Sequence, residues 1–234
     1  MFIAIEGADA CGKDTQTKLL EEALVKAGRN VFTFSFPRYD TPLGKLIRRH
    51  LEGHCALMDE RSRDSSDIRV DGDTYYAKSD ADALMFQSLM HADKSDASTA
   101  IKQYLKDGYV VLADRWWPAG FAYGAADGLP PEWMVSMSSV LPQPDLNLLI
   151  DVSEEEALRR RPKLRDRYEK DRTKQIVVGS WYRALWREGR WRRTGGRWVE
   201  IDGHGDKLEV HRRIVKAVRH SPADDLLKDM IGKG

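Results

Sequence analysis

Along the chain, short solid apolar runs alternate with longer stretches of helical spacing. Phe2 to Ile5 is one such solid run and reads as a buried strand. After a glycine loop, Leu19, Leu20, Ala23, Leu24 and Ala27 mark one face of a helix that Gly28 ends. Asn30–Ser35, Tyr109–Ala113, Leu146–Asp151 and Trp198–Ile201 read as four further strands. Helical spacing covers Leu43–Leu51, with Leu43, Leu46, Ile47 and Leu51 inward. It returns over Asp80–Lys106, where Leu84, Phe86, Leu89, Met90, Ile101 and Leu105 supply the apolar face. Ile176–Trp186 and Asp206–Arg219 follow the same period. Another helix starts at Ser153, with Glu154, Glu155 and Glu156 in a first turn that suits cap and dipole. Strands alternating with helices predict an α/β fold of three layers, a five-stranded parallel sheet flanked by helices. Residues 53–79 break the pattern as a polar insertion, and residues 221–234 form a tail that docks or frays.

Composition narrows the classes. The 234 residues suit a single domain over 1–234. A net charge of +1 gives no global attraction to nucleic acid or membrane. Only Cys11 and Cys55 occur, without paired spacing, which argues against a disulfide framework or zinc site and for a reducing cytoplasm. No run approaches the length of a membrane span, and the first residues show no charged-then-apolar leader pattern.

Chemistry concentrates in two places. Between the first strand and helix, Gly7-x-x-x-x-Gly12-Lys13 has the spacing of a phosphate loop. Gly7, Ala8, Asp9, Ala10, Cys11, Gly12, Lys13, Asp14 and Thr15 would wrap a nucleotide phosphate with backbone N–H groups at a helix N-terminus. Asp14 stands where a Ser or Thr hydroxyl usually meets magnesium, and it is the first candidate metal ligand. Asp114, at the tip of the third strand, is the second. The other concentration is Arg159–Glu169, with five arginines and one lysine within nine residues. A solvated basic face is the bland explanation. Beside a phosphate loop, residues 159–172 read instead as a lid whose cations close over a transferring phosphoryl group.

These motifs together resemble the thymidylate kinases, within the P-loop nucleoside monophosphate kinases, over roughly Phe2 to Val210. The resemblance implies a P-loop NTPase fold, ATP with Mg2+, a homodimer and nucleotide partners. Ile5-Glu6-Gly7-x-Asp9 with Gly12-Lys13 matches the family's loop, whose acidic residue contacts the acceptor sugar or phosphate region. Phe36-Pro37-Arg38-Tyr39 matches its acceptor-site segment, and Asp114-Arg115-Trp116 stands for its DRY, the arginine binding the acceptor 5′-phosphate. Ala122-Tyr123 matches a ring under the deoxyribose; Asp166-Arg167-Tyr168-Glu169 matches the lid's end. Asp202-Gly203-His204 matches the loop beside the donor adenine, with Arg160 on its other face. Counting back from Asp114-Arg115 without gaps puts Lys94 where the family reads the base with arginine and Met90 where it stacks a phenylalanine, with Phe86 one turn earlier. Ala119 and Gly120 stand where a serine and an asparagine or small residue often approach the nucleotide.

The expected reaction is phosphorylation of dTMP by ATP. Lys13 holds the donor, Arg115 and Arg38 the acceptor phosphate, Asp9 and Tyr123 the sugar, while Arg165 and Arg167 neutralise the transferring group. The departures at Met90, Lys94, Ala119 and Gly120 leave open another or modified pyrimidine deoxynucleotide. A different class is a P-loop protein that binds or phosphorylates nucleic acid, suggested by the Arg- and Trp-rich run Trp181–Trp198. Near-neutral charge and a site built for one nucleotide argue against it.

Overall fold

A computed structural model describes residues 1–52, 68–70, 73–75, 80–160, 171–188 and 196–219. Its elements in chain order begin with β1 (Phe2–Glu6), α1 (Lys13–Lys26), β2 (Val31–Ser35) and α2 (Pro42–Leu51). A short ladder of β3 (Ile68–Val70) with β4 (Asp73–Tyr75) precedes the long α3 (Asp80–Lys106). Then come β5 (Val110–Asp114), α4 (Trp117–Ala126), α5 (Pro131–Ser138) and β6 (Leu146–Asp151). The last are α6 (Glu154–Arg160), α7 (Arg172–Arg187), β7 (Arg197–Asp202) and α8 (Lys207–Arg219).

The expected five-stranded sheet is present, all parallel, in the order β2-β5-β1-β6-β7. Its central strand β1 sends alternate side chains to opposite layers. Ile3 and Ile5 join Leu112, Leu148 and Ile150 beneath Leu20 and Leu24 of α1 and Ile214 of α8. Phe2 and Ala4 join Val111 and Leu149 beneath Phe121 of α4 and Tyr182 and Leu185 of α7. Both faces are covered, which is why the strands are solidly apolar. By the same alternation Glu6 points into the second layer, where Trp116 N–H and the Tyr182 hydroxyl donate to it at 2.6 and 3.1 Å.

The structure departs from the sequence reading in several places. Residues Trp117–Ala126 and Pro131–Ser138 are helices that no period announced. Trp117, Pro118, Ala119, Phe121, Ala122, Gly124 and Ala125 are all buried, so α4 has no polar face to reveal its spacing. Leu84, expected inward, is exposed. The polar stretch 53–79 contains the β3–β4 ladder, which its weak periodicity did not predict. The rest of that stretch, lid residues 161–170 and tail residues 221–234 lie outside the described residues. No helix among those described is long and apolar enough to cross a membrane.

Candidate active site

The phosphate loop leaves the carboxyl end of β1. Gly7, at φ 145°, passes so near the Ile150 carbonyl and Cys11 Sγ that any Cβ would collide with both. The chain then turns through Ala10 at φ 61° and Gly12 at φ 101°, left-handed turns of the kind that gather backbone N–H groups around an anion. Gln16 N–H makes the first helical bond, to Gly12 O at 3.0 Å. The N–H groups of Lys13, Asp14 and Thr15 therefore sit in the unpaired first turn, at the positive end of α1. Lys13 is buried across the loop, its Nζ donating to Ala8 O at 2.6 Å.

The other donor-side residues converge on this loop. Arg160, at the end of α6, donates to Cys11 O at 3.2 Å and to Gly203 O at 2.8 Å, with Glu156 holding its Nε at 2.7 Å. His204 Nε2 accepts from Ser153 N–H at 3.1 Å, and Nδ1 lies 2.7 Å from Asp202 Oδ1. Arg160 thus ties the phosphate loop to the β7–α8 loop that carries His204. A cavity of about 300 Å³ opens beside the loop between α6 and α7, lined by Ala8, Asp9, Ala157, Leu158, Gln175 and Arg183 among others.

The two metal candidates differ. Burial raises the pKa of the Asp114 carboxyl, against the pull of Lys13 and Arg115, and its Oδ1 is buried with no partner among the described residues. An orphaned carboxylate oxygen beside a phosphate loop fits a hard cation or its water. Asp14 instead points outward, 69% exposed, and pairs with Lys18 at 2.9 Å. Among the described residues no three acidic, His or Cys side chains gather around one metal position.

On the acceptor side, Arg115 occupies a left-handed backbone position, φ 66°, anchored by its N–H on Ile5 O at 3.0 Å. That turn brings its guanidinium onto the Asp9 carboxylate and within 5.4 Å of the Tyr123 ring centre. Asp9 Oδ2 also accepts from the Tyr123 hydroxyl at 2.7 Å and Gln175 Nε2 at 2.9 Å. Burial pushes the Asp9 carboxyl up, but Arg115, Lys13 and these two donors outweigh it and hold it below the usual carboxylate range. Gln175 was not expected here; it stands one residue before the stretch whose spacing is helical. Glu6 was likewise missed, and burial raises its pKa to about 7.

Phe36 and Pro37, joined by a cis peptide, turn the chain from β2 so that Arg38 meets α3. Asp93 accepts from Arg38 Nε at 2.8 Å and Asp96 from Nη2 at 2.6 Å; neither carboxylate engages Nη1. Tyr39 packs beside Ile47, Phe86 and Met90. Lys94 is buried, its Nζ 3.1 Å from Met90 O and 5.6 Å from the Phe36 ring centre. Burial lowers its pKa to about 8 despite the neighbouring Asp93. Ala119 is buried in α4, and Gly120 faces Gln87 of α3. Phe86, expected beside the base, has its ring buried against Ile47 and stacked on His50, 4.5 Å centre to centre. Arg165, Arg167 and Tyr168 lie outside the described residues. The aromatic platform for a nucleic acid also needs correcting. Trp198 is buried against Trp117, and Trp181 packs edge-on to Phe121.

A phosphate loop at the carboxyl end of the central strand of a parallel sheet, with arginines facing it from the ends of β2 and β5, defines a P-loop phosphotransferase that acts on a second phosphorylated small molecule. Comparison with known proteins narrows the class. Residues 5–214 match the family model described as thymidylate kinase. A probable thymidylate kinase of Pyrococcus horikoshii is 36% identical over 160 residues, 68% of each chain. The thymidylate kinase of Thermoanaerobacter is 31% identical over 226 residues, covering 93% of this chain and 97% of that one. The solved thymidylate kinase of Candida albicans shares the fold with a TM-score of 0.70 at 23% identity, over 97% of this chain and 93% of that one. The chain belongs to the thymidylate kinase family, and so to the nucleoside monophosphate kinases.

Proposed function

We propose that this protein transfers the γ-phosphoryl group of ATP to dTMP, giving dTDP and ADP. The observation that carries this reading is the Asp9 constellation. An acidic residue of the phosphate loop is gripped by Arg115, Tyr123 and Gln175 from α7, so donor loop and acceptor cleft share one wall. The acceptor's phosphate oxygen attacks the γ-phosphorus directly, and no enzyme-bound intermediate is needed. Catalysis is then placement plus stabilisation of charge. Arg115 and the Nη1 side of Arg38 hold the acceptor phosphate. Asp9 and Tyr123 orient the sugar, and Lys13 with the first-turn amides holds the β- and γ-phosphates. Magnesium, when bound, would neutralise charge on the donor phosphates, and Asp114 is the residue fitted to hold it or its water. Arg165 and Arg167 complete the reading as cations supplied to the γ-phosphoryl group.

Lys94 supports a second acceptor class beside dTMP. A lysine is a flexible point donor where an arginine would be a planar fork, so dUMP and 5-substituted dUMP belong among the acceptors. A panel of nucleoside monophosphates in a coupled ADP-release assay tests both readings. Turnover led by dTMP, with dUMP second and dCMP poor, is the expected order; no ADP release above blank with any deoxynucleoside monophosphate would remove the assignment. The homodimer belongs to the same proposal, and sedimentation at micromolar concentration checks it.

A further inference from the structure

Gln87 is the residue for which the reaction as described has no use. It is 1% exposed, and both amide atoms, Oε1 and Nε2, find no hydrogen-bond partner among the described residues. A buried amide without partners is costly, so the position is fitted to a ligand or water that would supply them. Its place says what. Gln87, Met90, His91 and Lys94 follow one another at i, i+3, i+4 and i+7 on α3, so they share a face with the two residues assigned to the acceptor base. All four line a cavity of about 10 Å³ that Gly120 and Met134 close from α4 and α5. A Cβ on Gly120 would lie 3.7 Å from Gln87 Oε1, and one on Gly124 3.3 Å from Gln87 Cγ. The amide is therefore laid along a glycine-lined groove of α4 toward the end where Arg115 and the acceptor phosphate site lie.

We infer that Gln87 reads the hydrogen-bonding edge of the acceptor pyrimidine, a specificity-determining residue working beside Lys94. The inference rests on the function proposed above. A primary amide carries one acceptor and one donor side by side, the complement of the N3–H and O4 of thymine or uracil. Turned over, the same amide would complement the N3 and amino group of cytosine. Gln87 alone thus accepts either pyrimidine edge. Lys94, with no acceptor of its own, permits only the orientation in which O4 faces it. One residue supplies pairing and the other chooses between its two faces.

The test is a set of three variants assayed with dTMP and dCMP. Gln87→Met keeps the length of the side chain and removes both polar atoms. It is expected to raise the dTMP KM about tenfold, the loss of about one well-made pair of hydrogen bonds, with the ATP KM unmoved. Lys94→Met is expected to gain dCMP turnover, and Gln87→Met/Lys94→Met to lose that gain, because the flipped amide is what binds cytosine. Gln87→Asn, which retains the amide but withdraws it by one methylene, raises the dTMP KM in the same direction and covers the case in which the methionine variant folds poorly. An unchanged dTMP KM in Gln87→Met or Gln87→Asn, with a higher melting temperature in Gln87→Met, means that the amide merely meets a buried water and overturns the inference while leaving the kinase reading intact. A wild-type protein that phosphorylates no pyrimidine deoxynucleotide overturns both.

Discussion

The donor and acceptor halves of this site are built from different materials. On the donor side the recognising groups are mostly backbone, the loop amides and the first turn of α1, with the buried Lys13 across them and Arg160 crosslinking loop carbonyls at 2.8–3.2 Å. Its side chains are mostly paired and, like Asp14, partly turned to solvent. On the acceptor side the groups are side chains from four separate elements, Lys94 and Gln87 buried and Arg115, Arg38 and Gln175 half-buried. Arg115 follows β5, Arg38 follows β2, Lys94 and Gln87 stand on α3, and Gln175 on α7. Burial shifts the Lys94 pKa down to about 8, and Gln87 has no hydrogen-bond partner among the described residues. A phosphate is the same in every nucleotide, so a backbone cradle is enough for it. A base must be told from its relatives, and that needs desolvated donors and acceptors whose mispairing is expensive.

The contrast breaks most visibly at Arg115, which touches both halves through Asp9 and Gly7 O. Arg115→Ala is expected to lower kcat by on the order of 10²-fold or more and to raise the acceptor KM more than the ATP KM. Wild-type rates would dismiss the proposed chemistry. Next in size is Lys94→Met, expected to erase a dTMP-over-dCMP preference of roughly tenfold, since two facing donors cost about 1–3 kcal/mol. The sign of its pH dependence follows from burial. With a pKa near 8 in the folded protein against the usual value of 10.5, the ammonium is present below pH 8 and lost above it. The dTMP KM should therefore rise as pH passes through about 8 in the wild type and stay flat in Lys94→Met. The same shift makes folding stability rise with pH between those two values, because there the unfolded chain binds more protons.

Arg160→Ala sharpens the donor half. It removes the tie between the phosphate loop and the His204 loop, and is expected to raise the ATP KM several-fold, at roughly 1 kcal/mol, with little effect on the acceptor. An acceptor KM that moved equally would dissolve the distinction between the halves. The smallest effect belongs to Asp14→Ala. Its carboxylate pairs with Lys18 one turn on, both largely exposed, so the loss of stability should be close to nil, with the magnesium requirement unchanged. A steep rise in the magnesium concentration for half activity would show that Asp14 leaves Lys18 for the metal.

What sequence alone determined here is whatever depends on near neighbours in the chain. The phosphate loop is contiguous, so glycine spacing, lysine and helix start could be read directly, and solid apolar runs announced the five strands. The motifs carrying the resemblance named Asp9, Arg115, Tyr123 and Arg160 for the same reason: each is read within a short contiguous run, Asp9 and Arg115 in turns and Tyr123 and Arg160 on helices. Where a segment has no polar face, as in α4 with seven of its ten residues buried, the local pattern carried no period. Tertiary structure decided the remainder. Gln175 reaches Asp9 across 166 positions of chain. Asp93 and Asp96 grip Arg38 from another element, and His50 stacks on the Phe86 ring. Gln87 looks in sequence like any polar residue on a helix; only the packing of α3 against the glycines of α4 makes it a buried amide with no partner among the described residues. Burial and partner choice are properties of which surfaces meet, and no stretch of chain contains that information by itself.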